Sequence, residues 1–155
     1  MAEPTSPSNY TADAERFFVR AREIVPSFVA VDDDGAEQWQ DNDGPLGYIR
    51  IAALAWHLTS RAEIGKWDEV KAILDVAETT IESGDAYTSE LMVVGLLEDF
   101  QNACLQSEGR VRLVDVRALL GPASLAAWDD LMRFWHGSGT EARERLPPGS
   151  LPDET

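Results

Sequence analysis

An all-α fold, an irregular bundle or short stack of about six antiparallel helices with no significant β-sheet, is the fold class this sequence predicts. Apolar residues recur at intervals of three and four along most of the middle of the chain. No stretch alternates convincingly with period two, and no Asn-Gly or Asp-Gly turn joins two β-rich runs, the Asp34-Gly35 pair lying among acids.

Residues 1–10, rich in Ser, Pro and Asn, read as a flexible N-terminal arm; 11–137 as a single helical domain; and 138–155 as a Pro-rich acidic tail. The first helix, "TADAERFFVRAREIV", has Thr11 as its cap, gathers Phe17, Phe18, Ala21, Ile24 and Val25 on one side, and ends at Pro26. "DDDGAEQWQDNDGP" combines acids, two Gly and a Pro and reads mainly as a loop around Trp39. The second helix, "PLGYIRIAALAWHLTSRAEIG", starts at Pro45 and is apolar over most of its circumference between Ile49 and Leu58, as a central helix would be. The third, Trp67 to Asp85, sets Trp67, Val70, Ile73, Leu74, Ala77 and Ile81 on one face. "TSELMVVGLLEDFQNACLQS" is the fourth, apolar almost all round from Leu91 to Leu97, with Gly95 allowing another backbone to come close.

"GRVRLVDVRALLGP" supplies a brief fifth helix, terminated by Gly121 and Pro122. In "SLAAWDDLMRFWHG" Leu125, Trp128, Leu131, Met132 and Trp135 mark a sixth, ended by Gly137. The second and fourth helices are expected to form the core, with Ile51, Leu54, Leu58, Val93, Leu96, Leu97, Trp128 and Trp135 inside and Trp56 and Trp67 packed there as well. The segment from Glu63 to Asp85 has the flavour of a tetratricopeptide helix, but the paired-helix pattern does not recur at a fixed period, which argues against a solenoid.

At 155 residues the chain has the length of one domain with a real core. Its formal net charge is −15, and residues 31 to 109 hold 17 acids against 4 bases. Such a field repels nucleic acid and anionic membrane and attracts basic surfaces, so the expected partner is a basic protein, with neither nucleic acid nor membrane. "MAEPTSPSNY" lacks the basic and apolar regions of a signal peptide, and no long uncharged apolar run occurs; a cytoplasmic protein is expected. Cys104 is the only cysteine, which rules out an internal disulfide and a cysteine-based zinc site.

On the third helix Asp68, Asp75, Glu78 and Glu82 turn away from the apolar face, with Lys71 as the only cation in the row. Together with Asp32, Asp33, Asp34, Asp41 and Asp43 around the anchor Trp39, they are the expected partner-binding residues. No catalytic, cofactor or metal site is expected. Glu98 and Asp99, adjacent carboxylates after a buried run, point about 100° apart on a helix and cannot share one substrate proton; Glu98 is expected to meet an Arg or a backbone donor. His57 and His136 sit in no His-x-x-x-His or Glu-x-x-His arrangement, and Cys104 shares a face with Phe100 and Leu97, where burial as a small hydrophobe outweighs a nucleophilic role.

"VVGLLEDFQNAC" and "LLGPASLAAWDDLMRFW", about Val93 to Trp135, resemble a bacterial family of small helical proteins of unassigned function, marked by a Leu-Leu-Glu triplet, Leu-Gly-Pro, Trp-x-x-Leu and a Phe-Trp pair. Members resemble proteins encoded beside interbacterial toxins, and for some of them the resemblance implies an immunity role. Its signature is one of apolar and turn residues and carries no catalytic position across. The expected function is therefore non-enzymatic: neutralising a basic toxin by covering its active-site surface with carboxylates. A helical scaffold or self-associating adaptor is the second reading. A small-molecule-binding or metal-dependent enzyme with a cavity between the second and fourth helices is the third.

Overall fold

A computed structural model describes the backbone of residues 10–40 and 46–136 and the side chains of 10–35 and 47–135. The expected tail and most of the expected arm, with Asp41, Asp43 and the Gly137 stop, lie outside the described residues. Within them the chain is all-α and contains no strand.

Helix α1 (Ala12–Ile24) opens where the Ala14 N–H donates to Thr11 Oγ1, and it buries Ala14, Phe17, Phe18 and Ala21. A turn at Pro26-Ser27 leads into α2 (Phe28–Gln40), which takes in most of the segment expected to be a loop. Three consecutive Asp and a Gly argue for a loop only while their charge stays unpaired. Here Asp32, 3% exposed, receives Arg50 Nε at 3.0 Å, Arg50 Nη2 at 2.5 Å and Arg22 Nη1 at 2.7 Å, while Phe28 beside it is fully buried. Arg50, 6% exposed, also donates to the Tyr10 hydroxyl and to Glu15, and its guanidinium lies 4.3 Å over the Phe18 ring. One arginine thus ties the N-terminal segment, α1 and α2 to α3 (Leu46–Glu63), on which it sits.

Helix α3 packs against α2 before it and against three later elements, the most extensively packed helix of the fold. Gly65, at φ +85, makes the tight turn into α4 (Trp67–Ser83). Asp85 then caps α5 (Ala86–Glu90) by accepting the Thr88 N–H at 2.8 Å. The helix continues without a break through a π-helical segment (Leu91–Leu97) into α6 (Glu98–Leu105). After it come α7 (Leu113–Arg117) and α8 (Pro122–His136). Gly121-Pro122, expected to stop the fifth helix, instead starts the last one: Pro122 is the first residue of α8, where its missing N–H costs nothing.

The π segment has a packing cause. In an uninterrupted α-helix the buried face through Thr88, Leu91, Met92 and Gly95 would next reach Glu98 and Asp99. The wider π turn delays that face by about one residue. Leu96, Leu97 and Phe100 then fill the core while both carboxylates stay at its rim, half-buried. Gly95 makes the manoeuvre possible, since a Cβ there would lie 2.7 Å from Ile51 Cγ2 on α3.

Ile51, Leu54, Leu58, Leu96, Leu97 and Trp128 are buried as expected. Val93 and Trp67 are only half-buried, whereas Trp56 is 44% and Trp135 50% exposed. The periodicity that marks an apolar face does not say how far along the helix a partner covers it.

Gly95→Ala, which would favour an open helix, should here lower stability by about 1–3 kcal/mol because Ile51 must give way. In a double-mutant cycle that loss should vanish in an Ile51→Ala background. Additive losses by chemical denaturation would place the contact elsewhere.

Candidate functional site

The expected acidic stripe on α4 divides on folding. Asp68 and Glu82 are exposed, and Asp75, also exposed, is held by Lys71 Nζ at 2.7 and 2.9 Å. Glu78 turns inward, where its carboxylate accepts the Ala123 N–H at 3.0 Å and the Ser124 N–H at 2.8 Å. It therefore caps the N-terminus of α8 from a neighbouring helix. Burial works against its charged form, but those backbone hydrogen bonds outweigh it and hold the carboxyl below its ordinary range. Gly121 belongs to the same arrangement, since a Cβ would lie 2.6 Å from the Glu78 carboxyl carbon.

The acids of α2 divide in the same way. Asp32 is committed to Arg50 and Arg22, and despite its burial their hydrogen bonds hold its carboxyl below the usual value. Asp33 is exposed and pairs with Arg22 at 3.0 Å; Asp34 is exposed. The backbone of Trp39 lies in α2, and its side chain is outside those described. Asp32 and Glu78, two of the expected partner-binding residues, are thus committed within the fold.

A different group of acids stands out at the end of the π segment. Among the described side chains, the other buried or half-buried carboxylates are matched: Asp13 by Arg16 and the Asp85 N–H, Asp32 by two arginines, Glu69 by Arg61, Glu78 by backbone N–H groups and Asp129 by Arg117. Glu98 and Asp99 are met by no cation among the described residues. Burial pushes Glu98 up, while a hydrogen bond from the Trp135 side chain pulls it back in part. Burial, with Glu98 next to it, pushes Asp99 up to about 6. Tyr48 of α3 lies close enough to feel Glu90 and Glu98 and is raised to about 12, chiefly by burial. The aromatic pair Phe134 and Trp135, edge to face at 4.9 Å, completes the area; Phe134 is 75% exposed. Such a rim can hold a cation and stack a planar group against it.

The remaining candidates are structural. Ser27 Oγ and His57 Nε2 lie 2.7 Å apart, a pair invisible in sequence because 30 residues separate them. Burial and Arg61 lower the His57 pKa, and no carboxylate hydrogen bond orients the ring among the described residues, so the contact tethers the α1–α2 turn to α3. Cys104 is buried and its thiol is pushed up to about 12, which leaves it protonated and inert. The side chain of His136 lies outside those described. Among the described residues no group of three His, Cys, Asp or Glu converges as metal ligands would. A groove of about 240 Å³ between α1 and α4 is lined by Arg16, Arg20, Asp13, Thr79 and Ser83, but Arg16 pairs with Asp13 and Arg20 with Glu23, so it favours no ligand charge.

The two kinds of half-buried acid should respond oppositely to pH. Glu78, with its folded pKa depressed, stabilises above the unfolded carboxylate pKa and loses that contribution as pH falls through the folded value. Glu78→Gln should cost about 1–2 kcal/mol at neutral pH and progressively less in acid. Asp99, raised in the folded state, destabilises fully above pH 6 and ceases to as pH falls toward 4. Asp99→Asn should therefore gain about 1–2 kcal/mol at pH 7.5, screening allowed for, and little at pH 4. Denaturant titrations of both variants across that range check the signs.

No curated protein and no solved structure matches this chain. One family profile, a domain of unknown function, matches residues 19–136, from within α1 to the last residue of α8. The matched stretch takes in the π segment, the Glu78 cap and the aromatic end of α8, and the chain belongs to this family, DUF7674.

Proposed function

We propose that this protein is a non-enzymatic binding protein for a basic protein partner, and specifically a cytoplasmic immunity protein that neutralises a basic toxin by occupying its active-site surface. The observation that carries this reading is the way charge is spent inside the fold. Among the described residues every Arg and Lys except Lys66 is engaged with an acid of the same chain. Asp34, Asp68, Glu82, Glu90, Glu98 and Asp99 have no cation of their own. The described side chains thus hold 20 acids against 11 Lys plus Arg, an acidic surplus that suits a basic surface. The toxin-neutralising part rests on the resemblance of the Leu-Leu-Glu, Leu-Gly-Pro and Phe-Trp segments to proteins encoded beside toxins. No helix among the described residues is long and apolar enough to cross a membrane, which agrees with a partner met in water.

The half-exposed Trp135 and the more exposed Phe134 favour a second reading, self-association or scaffolding through apolar surface. Analytical ultracentrifugation separates the two, since the first expects a monomer until partner is added.

Co-expression with the product of the adjoining gene, followed by binding kinetics at several salt concentrations, tests the leading reading. Replacing Asp68 and Glu82 together by Lys should slow association about tenfold at low salt, flatten its salt dependence and leave the melting temperature nearly unchanged, because exposed charges act mainly through encounter. An unaltered rate at every salt concentration would show the α4 acids to be only a solvated face.

A further inference from the structure

The C-terminal end of α8 and the rim where the π segment meets α6 form one surface. Helix α8 packs on the π segment, the Trp135 side chain lies within reach of Glu98, and Phe134 packs edge to face on Trp135. Two features of this surface are costly for a chain that acts alone. Phe134 and Trp135 expose large aromatic area side by side, although the rest of α8's apolar face is covered: Trp128 is buried, and Leu131 and Met132 are half-buried. Among the described residues Glu98 and Asp99 are half-buried with no guanidinium on them, whereas the fold supplies an arginine or backbone N–H groups to the other half-buried acids. Arg133, the nearest cation in sequence to the aromatic pair, is paired with Asp130.

An arginine from outside would resolve both. Its planar guanidinium can stack on an indole face while donating two hydrogen bonds to a carboxylate, and an apolar neighbour on the incoming segment would cover Phe134. We propose that the α8 tip, with Phe134 and Trp135 beside Glu98 at the end of the π segment, is a docking surface for a protein segment that presents an arginine next to an apolar side chain. The assignment rests on the binding-protein reading above and adds to it the residues that anchor the partner, as distinct from the α4 acids that steer it. Charge argues against the other occupants: a second copy would bring another −15, and an anionic membrane would meet the same uncompensated carboxylates.

The probes are three synthetic 16-residue peptides titrated into the full chain by calorimetry at physiological salt. The first carries Arg and Leu at helical spacing, the second replaces Leu by Ser, and the third replaces Arg by Lys. The Arg/Leu peptide should bind at least tenfold more tightly than the Arg/Ser peptide and several-fold more tightly than the Lys/Leu peptide. Phe134→Ala with Trp135→Ala should weaken it at least tenfold, as should Glu98→Gln with Asp99→Asn, while Glu23→Gln, an exposed acid of α1, should change it less than threefold. NMR on the wild-type chain removes dependence on variant folding: the Trp135 indole N–H should shift on adding the Arg/Leu peptide, and the Trp128 signal should not.

An unshifted Trp135 signal, or equal binding of the Arg/Leu and Arg/Ser peptides, overturns the docking surface. Equal loss with Glu23→Gln also overturns it while leaving the binding-protein reading intact. A protein that proves dimeric until Phe134 and Trp135 are replaced, or that partitions onto vesicles through them, would give the surface to another occupant and overturn the proposal. Failure of the adjoining gene's product to bind the wild type would instead count against the broader reading, and the peptide result would stand by itself.

Discussion

The constraint on which the rest of the structure depends is the close passage of the π segment across α3 at Gly95 and Ile51. A regular α-helix would carry the buried face of Leu91, Met92 and Gly95 straight on to Glu98 and Asp99. Widening the turn solves this by rotating the second half of the helix relative to the first. Leu91 and Met92 serve one side of the core and Leu97 and Phe100 the other. The same rotation keeps Glu98 and Asp99 out of the interior yet not clear of it. The chemical character of that rim is thus a by-product of core packing, since the two carboxylates are left where the solvation of their charge is poor.

Around this centre the fold uses arginine sparingly and with purpose. Arg50 gathers Tyr10, Glu15, Asp32 and Phe18, groups from separate parts of the N-terminal half, onto a single planar cation. In a chain with 28 acids and 13 Lys plus Arg, each internal pairing uses one charge of each sign and leaves the whole excess of acid without a partner. Stability and surface character are therefore coupled: the cations that hold the helices together are the ones that cannot screen the exterior.

Much of the architecture was legible in the sequence because it is local. Thr11, the apolar face of α4 and the all-round apolar run of 91–97 announce helices through spacing alone. What was illegible depends on distant partners. The helical state of Asp32 and its neighbours rests on an arginine 18 residues further on, so three acids and a glycine looked like a loop. Glu78 belonged to a tidy stripe until backbone N–H groups 45 and 46 residues later claimed it. Trp135 obeys the period of α8 faithfully, but the core ends before the helix does. In the candidate site, Glu98 was visible as an unusual acid, whereas its contact with Trp135 was not, because nothing in either segment names the other.

Helix α8 is held unevenly along its length. Its first turn is fastened by one carboxylate from α4, and its middle by Trp128, buried, whose carbonyl accepts a hydrogen bond from Gln101 at 3.1 Å. Its last turn ends in exposed aromatics, about 16 Å beyond Ser124 at the rise of an α-helix. Leu131 and Met132 still pack on the core beyond Trp128, so only the last turn projects from it. Glu78 of α4 thereby fastens to the fold the same helix that ends in the exposed aromatics.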